Sequence, residues 1–187
     1  MGVVEVHMSM SLDGFVTGPN ATEGQAFGDG GAVLHAWLRS GDERRLVDEA
    51  FAAAGAAIGR RVYDQVDGWS DDPPFGMPVF VPTHRPHDML VKGETTFTFV
   101  TDGIESAIRR AKAAAGDKNV HIMGGASTAD QALRLGLVDE VHVHLVPVLL
   151  GAGTRLFADL GGDQIALERI GLIEGTVATH LRFRVVR

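Results

Sequence analysis

The stretch NVHIMGGASTADQALRLG, residues 119–136, places an apolar strand, a glycine pair and a helix in direct succession. The pattern predicts a strand over residues 119–123 and a helix over residues 127–135, with Gly136 just beyond its end. A glycine pair lets another molecule approach the backbone closely, and the first N–H groups of the following helix have no partner within the helix. The stretch therefore predicts one strand–helix unit with either a tight turn or an anion-binding turn between its elements.

Strand and helix patterns alternate on both sides of this unit. Further strands are predicted over residues 3–10, 56–58, 78–81 and 96–100, and helices over residues 42–54, 60–65 and 104–115, with a helical turn at 34–38. Asp102 is the expected N-cap of the helix at 104–115. After residue 140 only strands are predicted, over 140–148, 165–173 and 176–186, with a hairpin turn at Gly175.

This order of elements predicts an α/β fold. We expect a mostly parallel twisted sheet with an antiparallel C-terminal hairpin and helices on both faces. The 187 residues fit a single domain spanning 1–187, and 45% hydrophobic residues suffice for a substantial core.

Composition excludes several classes of function. The formal charge of −7 argues against a general nucleic-acid partner, and the lack of cysteine excludes disulfides and thiolate metal sites. The N-terminus does not read as a secretory signal, and no apolar run approaches the ~18 residues of a membrane span. We expect a cytoplasmic protein without a membrane partner.

Two more predicted strands end in loops that suit a phosphate. Gly59, Arg60 and Arg61 follow the strand at 56–58, and Thr83-His84-Arg85 follows the strand at 78–81. The carboxyl ends of parallel strands meet at one edge of a sheet, where ligands bind, and arginine makes bidentate contacts with phosphate. Taken singly, each loop could be a solvated helix start or an ordinary polar turn. Their order along the chain, together with the glycine pair, favours a shared ligand site.

The sequence resembles the dihydrofolate-reductase-like superfamily, in the branch related to the C-terminal reductase domain of the bifunctional riboflavin-biosynthesis protein. The resemblance rests on segments that follow the family's order along nearly the whole chain: SLDGF at 11–15, IGRR at 58–61, THRP at 83–86, MGG at 123–125, LVDE at 137–140 and PVLLGAG at 147–153.

The resemblance implies an oxidoreductase that transfers a hydride from NADPH to a small heterocyclic or ribosylamino-pyrimidine-like substrate. It also implies a homodimer, a cis bond between Gly124 and Gly125, and a loop over residues 11–18 that covers the nicotinamide. The residues implied to hold the pyrophosphate are Gly124, Gly125, Ala126, Ser127 and Thr128. Those implied to hold the 2′-phosphate end are Gly59, Arg60, Arg61, Thr83, His84 and Arg85.

The substrate side is less determined by the sequence. Asp13 and Trp37 are candidate catalytic residues, although Asp13 could only shape a turn with Gly14 and Trp37 could only anchor the first helix. Dihydrofolate reductases carry an acidic residue three positions before a tryptophan, where this chain has Leu34, so we expect weak or absent dihydrofolate reduction. An NADPH-binding protein without turnover and a purely structural homodimer remain alternatives.

Two further sequence patterns allow either a functional or a purely structural interpretation. His142 and His144 share one face of a predicted strand, but the sequence offers no third ligand at a fitting spacing. We therefore expect no metal and instead a polar pairing on the outer face of the sheet. The apolar run at 145–150 is either part of the core or a dimer surface.

Overall fold

The computed structural model describes residues 2–22, 24–60, 63, 71, 73 and 75–187. Its strands are β1 (Val4–Ser11), β2 (Phe15–Thr17), β3 (Ala54–Gly59), β4 (Val79–Pro82), β5 (Leu90–Lys92), β6 (Thr95–Val100), β7 (Asn119–Gly124), β8 (Glu140–Val146), β9 (Thr154–Arg155), β10 (Leu167–Glu174) and β11 (Thr179–Val185). Its helices are a 3₁₀ helix (Gly31–Arg39), α1 (Gly41–Ala53), α2 (Ile104–Ala115) and α3 (Ala126–Arg134).

Within the described residues, nine strands form one sheet in the order β10-β11-β8-β1-β7-β3-β4-β6-β5. The strands from β8 to β6 in this order run parallel to their neighbours, and β5 and the β10–β11 hairpin add antiparallel edges. Helices pack on both faces. The predicted α/β fold class, with its C-terminal hairpin, is confirmed.

The two faces of the sheet differ in chemistry because side chains alternate along each strand. Val4, Val6 and Met8 of β1 pack with α2 and α3 in the main apolar core. Glu5 and Ser9 of the same strand point to the other face, towards α1 and the 3₁₀ helix, and both are buried. None of the helices in the described part of the chain is long and apolar enough to cross a membrane.

Several local predictions are corrected by the structure. The helical turn at 34–38 is part of a longer 3₁₀ helix, and the short strands β2, β5 and β9 carry too few residues to show a period. Gly103, not Asp102, is the N-cap of α2; the carboxylate of Asp102 instead accepts a bond from Ser106 Oγ at 2.7 Å. Of the helix predicted at 60–65, only residues 60 and 63 are among the described residues, and Arg61 lies outside them.

A buried carboxylate joins α1 to the C-terminal hairpin. Glu43 accepts hydrogen bonds from Thr176 Oγ1 at 2.9 Å, from the backbone N–H groups of Val177 at 2.9 Å and Ala178 at 3.1 Å, and from His180 Nε2 at 3.0 Å. Burial alone would raise the pKa of Glu43, but these donors outweigh it and lower the pKa. The helix is thereby held against the hairpin by an ionised group.

The predicted turn at Gly175 is confirmed. Glycine is required there because the Glu43 carboxylate lies too close to leave room for a side chain. The N–H of Gly175 donates to Ala178 O at 2.9 Å, and a Cβ at this position would lie 2.5 Å from the Glu43 carboxylate.

The apolar run at 145–150 is divided between interior and surface. Val146 is buried in a cluster with Leu34, Trp37 and Ala178, whereas Leu149 is 69% exposed. The run therefore contributes to the core at one end, and its use as a dimer surface stays a prediction.

We expect Gly175→Ala to lower the free energy of unfolding by about 1–3 kcal/mol, because the added methyl group must displace the Glu43 carboxylate from its donors. Urea denaturation measures the change. Gly41→Ala is the matched control: a Cβ there meets no atom within 4 Å, and alanine favours a helix start more than glycine does. An equal loss of stability in both variants would contradict the role given to Glu43.

Candidate active site

The three strand-end loops singled out in the sequence lie side by side at one edge of the sheet. β7, β3 and β4 are parallel neighbours, and Gly59 pairs with Gly124 in the register. Neighbouring strands lie about 5 Å apart, so the loop after β4 begins roughly 10 Å from the glycine pair. The order along the edge is the glycine pair, then Arg60, then Thr83-His84-Arg85.

The glycine pair forms the turn between β7 and α3. The bond between Gly124 and Gly125 is cis, as the resemblance implied, and Gly124 has a φ of 116° that favours glycine. No side chain in the described part of the chain caps α3, so its first backbone N–H groups are available to an anion. Ala126 and Thr128 are buried, and Ser127 is exposed.

The other two loops present cations and a hydroxyl at the same edge. Arg60 is half-buried directly after β3, and His84 and Arg85 are exposed. The Thr83 hydroxyl accepts a bond from the N–H of Arg85 at 3.0 Å, which fixes the turn after β4. Arg60 and Arg85, the two described arginines predicted to bind the 2′-phosphate, are therefore accessible to solvent.

A cavity of about 600 Å³ opens beside the glycine pair. Gly124, Gly125 and Ala126 form part of its wall, and residues of β1, β2 and the loop after it, the 3₁₀ helix, α1, β7, β8 and β9 contribute to the rest. Apolar and aromatic side chains dominate this wall: Val16, Phe27, Trp37, Val47, Phe51 and Phe75. Among the described residues that line the cavity, none carries a carboxylate.

Four polar atoms of the cavity wall are buried without a hydrogen-bond partner among the described residues: His7 Nε2, Thr17 Oγ1, His35 Nδ1 and His121 Nδ1. An unsatisfied buried polar atom costs about 1–3 kcal/mol, so such atoms in a cavity indicate a place for a ligand. Thr17 Oγ1 and His35 Nδ1 offer polar groups to a flat heterocycle held among aromatic walls.

The two candidate catalytic residues have different surroundings. Trp37 lines the cavity and is itself 2% exposed; its Nε1 donates to Ser9 Oγ at 2.9 Å. Asp13 does not line the cavity. Its carboxylate accepts bonds from Ser11 Oγ at 2.6 Å and from the N–H groups of Leu150 at 3.1 Å and Gly151 at 2.7 Å. These bonds, that of Ser11 first, lower the pKa of Asp13 to about 2, so this side chain stays ionised and anchors a turn.

Glu43 also orients a pair of histidines that reaches the cavity. His180 donates through Nε2 to ionised Glu43, which leaves its Nδ1 as an acceptor. His144 Nδ1 lies 2.8 Å from His180 Nδ1 and must donate, so Nε2 of neutral His144 carries no proton. His144 lines the cavity, and its ring centroid lies 4.3 Å from that of Trp37 in a tilted arrangement.

Burial keeps the histidines of the cavity neutral. It lowers the pKa of His35 to about 4 and is the largest cause of the lowered pKa of about 3 at His144. Burial also holds the pKa values of His7 and His121 well below their usual range. These side chains therefore offer neutral hydrogen-bonding groups near pH 7.

The chain matches the model of the RibD C-terminal domain over residues 3–181. It belongs to that family. The resemblance identified from the sequence is confirmed. Bacillus subtilis YyaP, an uncharacterized protein, is 39% identical over 62 residues, which are 33% of this chain and 32% of YyaP.

Solved structures share the fold of this RibD C-terminal domain. A putative riboflavin biosynthesis protein from Shewanella sp. PV-4 superposes with a TM-score of 0.76 at 21% identity and covers 99% of both chains. Acinetobacter baumannii RibD gives 0.69 at 17% identity, with all of this chain matching 59% of that one. Enterococcus faecalis dihydrofolate reductase gives 0.63 at 11% identity, over 100% of this chain and 98% of that one.

Sequence reasoning missed Thr17, His35 and the histidines of the sheet as parts of this family member's cavity. The available signal was the alternation of Glu5, His7 and Ser9 with apolar residues in β1. Polar residues with a period of two in a strand between two parallel neighbours indicate a buried polar face.

We expect the stability of the protein to fall as the pH drops from 6.5 towards 4, in part because of His35. An unfolded histidine binds its proton near pH 6.5, whereas burial delays protonation in the folded state to about pH 4, so the unfolded state binds more protons in this range. His35→Gln should flatten this part of the curve of unfolding free energy against pH. His87→Gln, at an exposed position, should leave it unchanged; parallel curves for His35→Gln and the unaltered protein would contradict the prediction.

Proposed function

We propose that the protein is an NADPH-dependent reductase that transfers a hydride to a C=N or C=O bond of a small heterocycle of the pyrimidine class. The observation that carries the proposal is the opening of the glycine pair and the uncapped start of α3 into a cavity of about 600 Å³ walled by Trp37. Membership of the RibD C-terminal domain family supports it, as do neighbours described as a riboflavin biosynthesis protein and RibD.

The residues at the sheet edge fit a dinucleotide phosphate. Gly59 leaves little room for a side chain, since a Cβ there would lie 3.3 Å from Gly124 O, and no described side chain makes a capping hydrogen bond at the start of α3. The pyrophosphate would rest on Gly124, Gly125 and Ala126, and the 2′-phosphate end would meet Arg60, Thr83, His84 and Arg85. When bound, the cofactor supplies the hydride.

The cavity residues would bind and orient the substrate. Trp37 and Phe51 offer flat apolar surfaces and keep water away from the reacting bond. Thr17 Oγ1, His35 Nδ1 and the unprotonated Nε2 of His144 would hydrogen-bond to ring and exocyclic groups. Such a wall suits the amide and amine edge of a pyrimidine.

A second candidate function is binding of NADPH without turnover. It is favoured by one observation: the cavity wall, within the described residues, has no carboxylate, and its histidines are neutral. No side chain there supplies the proton that reduction of C=N or C=O consumes, so in a working enzyme water or the substrate itself must supply it.

We expect the protein to oxidise NADPH with ribosylaminopyrimidine substrates and to reduce dihydrofolate at least about 10²-fold more slowly. Leu34 is fully buried in the core, and Asp29 is held by Asn20 and Gln25 outside the cavity, so neither position supplies an acid to a pterin ring. Steady-state NADPH oxidation against a panel of pterins and ribosylaminopyrimidines measures this.

Thr17→Val tests whether the same cavity holds the substrate. The variant keeps the side-chain volume and removes only an unpartnered hydroxyl, so KM should rise about tenfold without loss of stability. Thr98→Val, in β6, is the control. NADPH binding without turnover on any panel member would favour the second candidate, and a lack of binding would overturn both.

We expect NADPH to bind about tenfold to a hundredfold more tightly than NADH, because charge-assisted contacts to the 2′-phosphate are absent with NADH. Arg85→Gln should weaken NADPH binding about threefold to tenfold and leave NADH binding unchanged. Arg184→Gln, which removes a cation paired with Glu168 on the far hairpin, is the control. Isothermal titration calorimetry gives the affinity of each protein for each cofactor; equal affinities of the unaltered protein for the two cofactors would contradict the assignment of these loops.

A further inference from the structure

The face of the sheet beneath α1 carries a cluster of ionisable side chains that the proposed reaction does not use. Glu5 and His7 are two residues apart on β1 and share this face. In the register, His121 of β7 lies opposite Glu5, and His142 of β8 lies opposite His7. Three adjacent strands thus bring one carboxylate and three imidazoles together.

The nitrogen and oxygen atoms of this cluster converge. His7 Nε2 lies 3.4 Å from Glu5 Oε1, and His142 Nε2 lies 3.9 Å from Glu5 Oε2. Glu5, His7 and His142 each offer one ligand atom, and these atoms lie within 4.8 Å of one another. His121 Nδ1 is 3.9 Å from Glu5 Oε1, and the rings of His7 and His121 stack at 4.1 Å.

A second observation is that several atoms of this cluster lack hydrogen-bond partners among the described residues. Glu5 Oε1, His7 Nε2 and His121 Nδ1 are all buried with no hydrogen bond, and Glu5 is only 3% exposed. The other carboxylate oxygen of Glu5 accepts a bond from Asn119 Nδ2 at 3.3 Å, which orients Oε1 towards the histidines. Two of the unpartnered atoms belong to Glu5 and His7, whose ligand atoms converge with that of His142, and such buried groups suit a bound cation.

We infer that Glu5, His7 and His142 bind a divalent transition-metal ion of the zinc class. Two imidazoles and a carboxylate are a usual zinc donor set, and tetrahedral bonds of about 2.0–2.1 Å put donor atoms about 3.4 Å apart. The Glu5–His7 separation already has this value. His121 is the nearest candidate for the fourth position.

The ligands differ from the pair suggested by the sequence. His144 shares a strand face with His142, but its Nδ1 is engaged by His180, whereas His142 pairs across strands with Glu5 and His7. These residues are also not on an outer face, because β8 lies between β1 and β11 and His142 is 8% exposed. Two of the three ligands, Glu5 and His7, come from β1, more than a hundred residues away in the sequence.

Two neighbouring residues, Glu140 and Arg182, allow an ion to bind without leaving a buried charge unpaired. His142 Nε2 now shares a proton with Glu140 Oε2 at 2.9 Å, and Arg182 lies 3.2 Å from the same oxygen. When His142 turns to the ion, Arg182 stays as the partner of Glu140. A second cavity of about 310 Å³, lined by Glu5, His7, His142 and the exposed residues Glu49 and Arg182, provides a route from solvent.

The test is uptake of Zn²⁺ by the full-length protein after chelator treatment and removal of the chelator. Calorimetry should show one equivalent bound, and Co²⁺ should give the strong visible absorption of a tetrahedral site. Glu5→Gln and His7→Gln should each weaken binding by more than about a hundredfold. His87→Gln, an exposed histidine, should bind as the unaltered protein does.

His144→Gln distinguishes the cross-strand ligands Glu5, His7 and His142 from the same-strand pair His142 and His144. Binding retained in this variant and lost in His7→Gln supports the cross-strand site; the reverse result overturns it.

Thermal unfolding of the unaltered protein keeps the inference testable if the ligand variants do not fold. The midpoint should rise with Zn²⁺ and not with Mg²⁺, which prefers oxygen ligands. If the protein takes up no Zn²⁺ and its unfolding midpoint does not rise, the inference is overturned, and a shared proton, not an ion, occupies the cluster. These outcomes do not depend on reductase activity.

Discussion

The burial of a polar face on the central strand is the constraint on which the rest of the structure depends. A strand flanked by parallel neighbours is usually apolar on both faces, yet β1 places Glu5, His7 and Ser9 on one of them. Each of these groups costs free energy unless a partner is supplied. The indole of Trp37 donates to Ser9, and histidines on β7 and β8 lie 3.9 Å from the Glu5 carboxylate. A histidine on β11 pairs with His144 of β8, so the polar face recurs across four strands.

Covering such a face requires a helix that is held by more than apolar contacts. α1 packs Val47 and Phe51 over the histidines, but its Glu43 is what ties it to the hairpin. A charged group with four donors is stable in the interior only because every donor is fixed by backbone or by a neighbouring ring. The helix that covers the cavity is therefore positioned by the hairpin at one edge of the sheet.

The sequence predicts the framework of this molecule well and the site only in part. Long periodic segments such as residues 104–115 and the strand–glycine–helix unit at 119–136 carry their own local signals, so the sheet and the order of its edge loops followed from them. The contacts of Glu43 with the hairpin span more than 130 residues and leave no local pattern. For the same reason His142 was grouped with His144, its neighbour in sequence, and not with Glu5, its neighbour in space.

The bond between Glu43 and the hairpin has a consequence for the order of events during synthesis. α1 leaves the ribosome early, but its anchoring donors at residues 176–180 are made more than 130 residues later, and β1 must also wait for β7 and β8. At about 5–20 residues per second, the nascent chain spends several seconds with its polar strand face uncovered. During that interval only bulk water can satisfy Glu5 and the histidines, so the cavity is among the last parts of the fold to close.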